Sequence, residues 1–398
     1  MTKVLFCAAP PAAIQDSPRM APVRRPKKTA KDPLRVALDK LKSIKARYSS
    51  MPILDSVLVQ SEKHRTVLSA TNLVAWGRVV LPYPLGPEFS AAVPLLELEG
   101  IVKKLKGQVR LEPDPERDDC IKVSDGTVSM RLLVLPSEEF PVMPHDPAKP
   151  MWETSARVQP FIEGIKSVMP AMNDDETRLN LSQVLMEVRP RGTRFVTTDS
   201  HRLMTSFVKT CVSARAFSMN LNVEGVKPVT KFSDGEETMI VQAFPVESET
   251  AHSWIGFHGD NWNLLVREQE GRFPPYKQVY PKGKYGTKRR LKVDTDIFKT
   301  VLASVMEMAV DRSCSIRLEP APTVLTLKAS TADKGEAVAT VPCEFSGPPL
   351  AKISYNGDYL MDLLRSCGPV LDLRLTDDIG PSVLYNGVKT HLLMPMRI

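Results

Sequence analysis

Three stretches decide the fold: Thr66–Asn72 reads TVLSATN, Thr193–Ser200 reads TRFVTTDS, and Thr323–Thr331 reads TVLTLKAST. Each begins with bulky or β-branched residues and ends in small polar ones, the pattern of a strand running into a turn. Thr71, Thr198 and Ser330 hold the same place in the three stretches and lie 127 and 132 residues apart. That period is too long for a solenoid of supersecondary units. It fits one domain written three times.

The surroundings of each stretch support the repeat. In the first copy an amphipathic helix begins at Leu34, with Leu34, Ala37, Leu38, Leu41 and Ile44 on one stripe. Strands are expected at 52–59, 66–72 and 76–81, a helix at 95–106, and strands at 108–112, 120–124 and 128–134. The second copy opens with a helix at 158–169 and a strand at 179–188. A hairpin turn at Arg191-Gly192 leads into the strand that ends at Thr198-Asp199. Its second helix should be short or distorted, because Val223–Phe232 contains Gly225 and Pro228. The third copy predicts a helix at 295–309, strands at 315–318, 323–329 and 336–342, a helix at 358–366, and strands at 370–376 and 382–396. The expected division is a disordered arm at 1–32 and domains at 33–145, 146–281 and 282–398.

The chain has 398 residues, 42% hydrophobic and 25% charged, ordinary values for a globular protein of about two to four domains. None of its six cysteines forms a C-x-x-C pair. Neither a zinc site nor a disulfide framework is indicated, and a reducing, cytoplasmic compartment fits. No apolar run approaches the ~18 residues of a membrane span, and the apolar start before Pro10-Pro11 is too short for a signal peptide. The net charge is +7. Residues 1–32 hold seven basic groups against two acids, so most of the excess sits in that Pro/Ala/Lys-rich arm. It is either a solvated tail or a salt-sensitive tether to nucleic acid.

Each copy gives an α+β unit with helices on one face of antiparallel sheets. Copies joined end to end form an arc with helices on its hollow side and open strand edges at its ends. Two arcs paired head to tail across a two-fold close a ring. Arg35, Lys42, Lys45, Arg47, Lys103, Lys104, Lys106, Lys166 and Lys299 decorate the inner helices. They are either ordinary solvated faces or, taken together, a lining for a phosphate backbone that carries no sequence information. The turn Thr198-Asp199-Ser200-His201-Arg202 is either a polar hairpin corner or a functional rim. Catalysis by Asp199, Ser200 and His201 is disfavoured, since neighbours on an extended chain point in different directions. No Gly-x-Ser-x-Gly elbow, phosphate loop or metal cluster accompanies them. No cofactor or metal is expected.

From residue 33 onward the chain resembles the β subunit of bacterial DNA polymerase III, the sliding clamp family. The resemblance rests on PILDSVLV (52–59) followed by VLSATN (67–72), RFVTTDSHRL (194–203), GRFPPYKQVYPK (271–282) and the terminal MPMRI (394–398). It implies three repeated clamp domains in an arc, closed as a homodimeric ring around duplex DNA, with no reaction catalysed. It further implies partners held through short peptide motifs: the replicative polymerase, the clamp loader, repair polymerases and ligase. Carried over by position, the peptide cleft comprises Arg178, Leu181, Thr198, Ser200, His201, Arg202, Leu203, Pro274, Gln278, Val279, Ile379, Met394, Pro395, Met396 and Arg397, with Asn356 and Tyr359 alongside. The apolar members suit bulky side chains, and Thr198, His201, Arg202 and Arg397 suit carbonyls or a Gln amide. Ser200 stands where the family usually has Gly, and Gln278 where a basic residue is common. The dimer contact implied brings Met130 and Leu132 to the region of Met308, where Glu307 replaces a more usual apolar residue. The implied compartment is the cytoplasm, at the nucleoid. The alternatives are an accessory copy of the clamp or a sequence-tolerant DNA-binding protein acting through its arm.

Overall fold

A computed structural model describes residues 32–45, 50–143, 150–173, 177–244, 253–281, 288–309, 314–331 and 334–397. The basic arm, apart from Asp32, and Arg47 lie outside the described residues. In the first unit the elements are α1 (Pro33–Lys42), β1 (Ser56–Ser61), β2 (Thr66–Thr71), β3 (Ala75–Leu81), β4 (Phe89–Pro94), α2 (Leu95–Lys104), β5 (Arg110–Pro113), β6 (Cys120–Ser124) and β7 (Ser129–Leu133). The second has β8 (Trp152–Arg157), α3 (Val158–Lys166), β9 (Gln183–Arg189), β10 (Gly192–Thr198), β11 (Arg202–Val208), β12 (Phe217–Asn222), α4 (Val223–Phe232), β13 (Thr238–Phe244), β14 (Trp254–His258) and β15 (Trp262–Arg267). The third has β16 (Arg289–Asp294), α5 (Thr295–Met306), β17 (Ser315–Pro320), β18 (Val324–Thr331), β19 (Gly335–Ser346), β20 (Ile353–Asn356), α6 (Gly357–Arg365), β21 (Val370–Leu375), β22 (Ser382–Asn386) and β23 (Lys389–Leu393).

The repeat is therefore topological as well as local. The quoted stretches become β2, β10 and β18, each second in its strand series. The orders β4-β1-β2-β3, β12-β9-β10-β11 and β20-β17-β18-β19 are the same arrangement three times. The units do not keep their sheets to themselves. β3 pairs antiparallel with β15, Gly77 opposite Leu264, and β11 with β23, Leu203 opposite Leu392. These junctions build one eight-stranded and one twelve-stranded sheet, while β5-β6-β7 stays a sheet of three.

Helices fill one side of the sheets. Asp32 caps α1 by accepting from the Leu34 amide at 3.1 Å, and Pro33 takes a position where no amide bond is missed. The expected stripe from Leu34 to Ile44 is fully buried in a core shared by the first two units. There α1 meets α4 across the junction. Lys40 is buried as well: its Nζ donates to the carbonyl of Phe232 at 2.6 Å and lies 5.3 Å from the Trp262 ring. It thus closes the C-terminus of α4. Burial lowers its pKa against the opposing pull of Glu236. Gly77 makes this contact possible, because a Cβ there would meet Ile44 at 2.3 Å and Phe232 at 2.5 Å. A separate core serves the third unit.

Several expectations are corrected. Pro52–Asp55 is a 3₁₀ turn and the first strand starts at Ser56, because Ile53 and Leu54 pack on Ala92 and Phe140 instead of joining a ladder. The strand expected from residue 179 starts at Gln183. Val223–Phe232 is a complete helix despite Pro228. Its first turn is capped by Asn222 at 2.9 Å and its Val226, Val229 and Phe232 are buried, which offsets the lost hydrogen bond. Finally, 382–396 is a hairpin, not one strand: β22 turns at Gly387 (φ +57°) into β23. Helices expected to reach 106, 169 and 309 stop at Lys104, Lys166 and Met306.

Candidate functional site

The polar turn between β10 and β11 is rigid by its own side chains. Thr198 Oγ1 donates to the carbonyl of Arg202 at 2.7 Å, and Asp199 Oδ1 accepts the amides of His201 and Arg202 at 3.0 Å each. The chain reverses at Ser200, whose φ is +80°. That left-handed backbone favours glycine. Arg202 bridges outward: Nε donates to Asp199 Oδ2 at 2.9 Å and Nη1 to Asp362 Oδ2 at 2.7 Å, while the guanidinium lies 4.1 Å from the Tyr359 ring centroid. The His201 ring stacks against the same tyrosine, centroids 6.3 Å apart. Asp199 is thus occupied by Arg202 and backbone amides, and the His201 ring faces Tyr359. No Ser-His-Asp relay forms here.

Tyr359 and Asp362 belong to α6 of the third unit, where Asn356 caps the helix by accepting from the Tyr359 amide at 3.0 Å. The C-terminal tail joins them: the Met394 amide donates to the carbonyl of His201 at 2.9 Å, and that of Met396 to Ser354 at 2.7 Å. Under this rim lies an apolar floor of Leu185, Val196, Leu203, Val383 and Leu392, crossed by Phe273 and Tyr276 from the segment between the second and third units. Met394 packs on its edge. Beside it, Pro274 and Gln278 line a cavity of about 650 Å³ together with Leu185, Glu187 and Asn220. Glu187 anchors the crossing segment by accepting from Tyr276 at 2.9 Å and Lys277 at 2.8 Å. Burial alone would raise its pKa, but these donors hold it below the usual value. Burial pushes the Tyr276 hydroxyl up to about 12.

Thr198, His201, Arg202, Leu203, Asn356, Tyr359 and Met394 therefore converge, with Ser200 at the turn and Met396 tied to the neighbouring strand. Leu181 is buried just before β9, and Pro395 is half-buried between the two methionines. Val279 and Ile379 are exposed apolar residues on separate loops, and Arg178 and Arg397 are exposed. The sequence reading missed Asp362, which stands three residues after Tyr359 on one helix face, and Glu187 and Leu392, which only the fold brings near.

The expected basic lining is largely neutralised. Lys42 and Lys103 share Glu99 at 2.8 and 2.6 Å, Lys45 pairs with Asp55 at 3.2 Å, and Lys299 with Asp296 at 3.5 Å. Arg35 lies 3.6 Å from Asp32 and donates to the carbonyl of Leu105 at 2.7 Å. Lys104, Lys106 and Lys166 are exposed, and Lys106 stands past the end of α2. Met130 and Leu132 are half-buried on β7, Met308 is half-buried just past α5, and Glu307 caps that helix. Among the described residues no cluster of three His, Cys, Asp or Glu side chains is placed to hold a metal, and no helix is long and apolar enough to cross a membrane.

Fold and rim together define a body of three like α+β units joined through shared sheets. The chain resembles the bacterial DNA polymerase III β subunit, the β sliding clamp. Residues 277–397 match the family described as DNA polymerase III beta subunit, C-terminal domain. The beta sliding clamp of Caulobacter vibrioides is 25% identical over 379 residues, covering 91% of this chain and 97% of its own. The β subunit from Thermotoga maritima superposes with a TM-score of 0.82 at 22% identity, covering 92% of this chain and 97% of that one. A sliding clamp from Pseudomonas aeruginosa, solved bound to griselimycin, gives 0.81 at 21%, covering 92% and 97%.

Proposed function

We propose that this chain is a processivity clamp: two copies close a ring around duplex DNA and hold partner proteins by short peptides. The observation that carries the reading is the pattern of the sheet junctions. The third strand of one four-strand series pairs with the last strand of another, as β3 with β15 and β11 with β23. The same rule leaves one pair unmade in a single chain, β7 and the 335–342 part of β19, whose outer edge carries no described partner. A strand edge left open at each end of a three-unit body is satisfied by a second copy. The three units correspond to domains at 33–145, 146–281 and 282–398.

On this reading the protein catalyses nothing. The helix side takes DNA by enclosure, and with most lysines already paired its grip on phosphates is loose and salt-sensitive, which suits sliding. The rim from Thr198 to Arg202, Tyr359, the crossing segment and Met394–Arg397 takes an extended peptide from the replicative polymerase, the clamp loader, repair polymerases or ligase. Its place is the cytoplasm, at the nucleoid. The test is retention: protein loaded on a nicked DNA circle stays bound through gel filtration and is lost once the circle is cut. Equal retention on circle and linear duplex refutes enclosure.

A further inference from the structure

The hairpin joining β9 to β10 reads Arg189-Pro190-Arg191-Gly192-Thr193-Arg194, and the clamp reading makes no use of it. Its three arginines line one cavity of about 460 Å³, with Pro190 and Phe207 as apolar walls. Phe195 points the other way, its ring 5.1 Å from Phe161 of α3. Alternation along β10 therefore puts Arg194 on the face away from the helices, the face that also carries Val196 and Thr198. This cavity shares its side of the sheet with the rim and does not face the helix side assigned to DNA.

Its charge is unbalanced. Glu187 is shared by Lys277 at 2.8 Å, Arg189 at 3.3 Å and the Tyr276 hydroxyl at 2.9 Å. Arg194 hydrogen-bonds to Tyr276. Arg191 is exposed at the turn and makes no described ion pair. Two cations, Lys277 and Arg189, thus already share one carboxylate, while Arg191 and Arg194 beside them make no described ion pair. Guanidinium forks match carboxylates in geometry as well as sign.

We propose that this hairpin extends the peptide cleft and reads an acidic stretch flanking a partner's docking motif. The inference rests on the cleft reading given above. The spacing follows from strand geometry. Arg194 lies four residues from Thr198 along β10 and Arg191 seven, about 13 and 23 Å at ~3.3 Å per residue. An extended partner places its carboxylates about four to seven residues beyond the motif.

The test measures binding of fluorescent peptides by anisotropy: a bare pentapeptide with one Gln and bulky apolar side chains to suit the apolar floor, the same peptide with four acidic residues starting four positions beyond one end or the other, and the matching serine-substituted controls. Acidic extension at one end should tighten binding about three- to tenfold over serine, and less at high salt. The variant Arg191→Ser, altered only at the exposed turn, should lose most of that gain while binding the bare pentapeptide unchanged. A bare peptide that binds with no gain from acid, or a gain that survives in the variant, overturns this proposal alone. Failure of the bare peptide to bind the wild-type protein overturns the cleft reading and this proposal with it.

Discussion

At the scale of single residues, the rim holds one strained position and one overcommitted one. Ser200 carries φ +80°, and among the described residues its side chain makes no hydrogen bond that requires serine, since the local bonds come from Thr198, Asp199 and backbone amides. Ser200→Gly should therefore raise stability by about 0.5–1 kcal/mol, read from the urea midpoint; an unchanged midpoint shows that the turn is not strained. Arg202 holds two carboxylates and a ring at once, with its side chain only 11% exposed. Lysine keeps the charge but has neither the fork nor the flat face. Arg202→Lys should cost about 1–3 kcal/mol and weaken the pentapeptide probe, because it releases Asp199 and α6 together.

At the scale of elements, β23 is the strand on which the second and third units depend. His391 sits in it opposite Met204 of β11 and Leu384 of β22. It is 1% exposed, and neither ring nitrogen meets a hydrogen-bond partner. Burial, with Lys389 adding to it, pushes its pKa down to about 4. The folded value is thus below the unfolded one. Above about pH 6.5 both states are neutral and nothing is lost. As pH falls from there to about 4, the unfolded chain takes up a proton that the folded one refuses, and stability drops by about 3 kcal/mol. In His391→Leu that part of the acid limb should vanish, measured as urea stability at intervals from pH 7 to 4. An unaltered pH slope means the ring is solvated after all. α4 teaches the converse lesson. Pro228 predicts a damaged helix, but capping by Asn222 and burial of Phe232 outweigh one missing bond.

The whole molecule is a row of joined sheets, and among the described residues β7 and the 335–342 part of β19 each have a side without a described strand partner. Leu133 on β7 and Val338 on β19 are apolar yet 58% and 57% exposed. The proposed ring, pairing the two edges between copies, would cover both. The wild-type protein should sediment at twice 44.2 kDa. Leu133→Glu combined with Val338→Glu should shift it to monomer and abolish retention on a DNA circle, while the pentapeptide still binds. A double variant that stays dimeric places the interface elsewhere.

What the sequence determined alone was whatever has a local signature. Periodicity placed the buried stripe of α1, turn chemistry placed the ends of β2, β10 and β18, and their recurrence gave the three-unit plan. The proposed peptide rim was drawn from resemblance, because Thr198–Leu203 and the terminal Met394-Pro395-Met396 match a family's motifs in short runs. Tertiary structure alone decided how the units share sheets, why Arg202 needs Asp362, why Lys40 is a cap for α4 and not part of a basic face, and which lysines already have partners. Those facts join residues far apart, 160 positions for Arg202 and Asp362 and 192 for Lys40 and Phe232. A contact across that separation is selected by burial and charge pairing in the closed fold, and leaves no periodic trace in the chain that makes it.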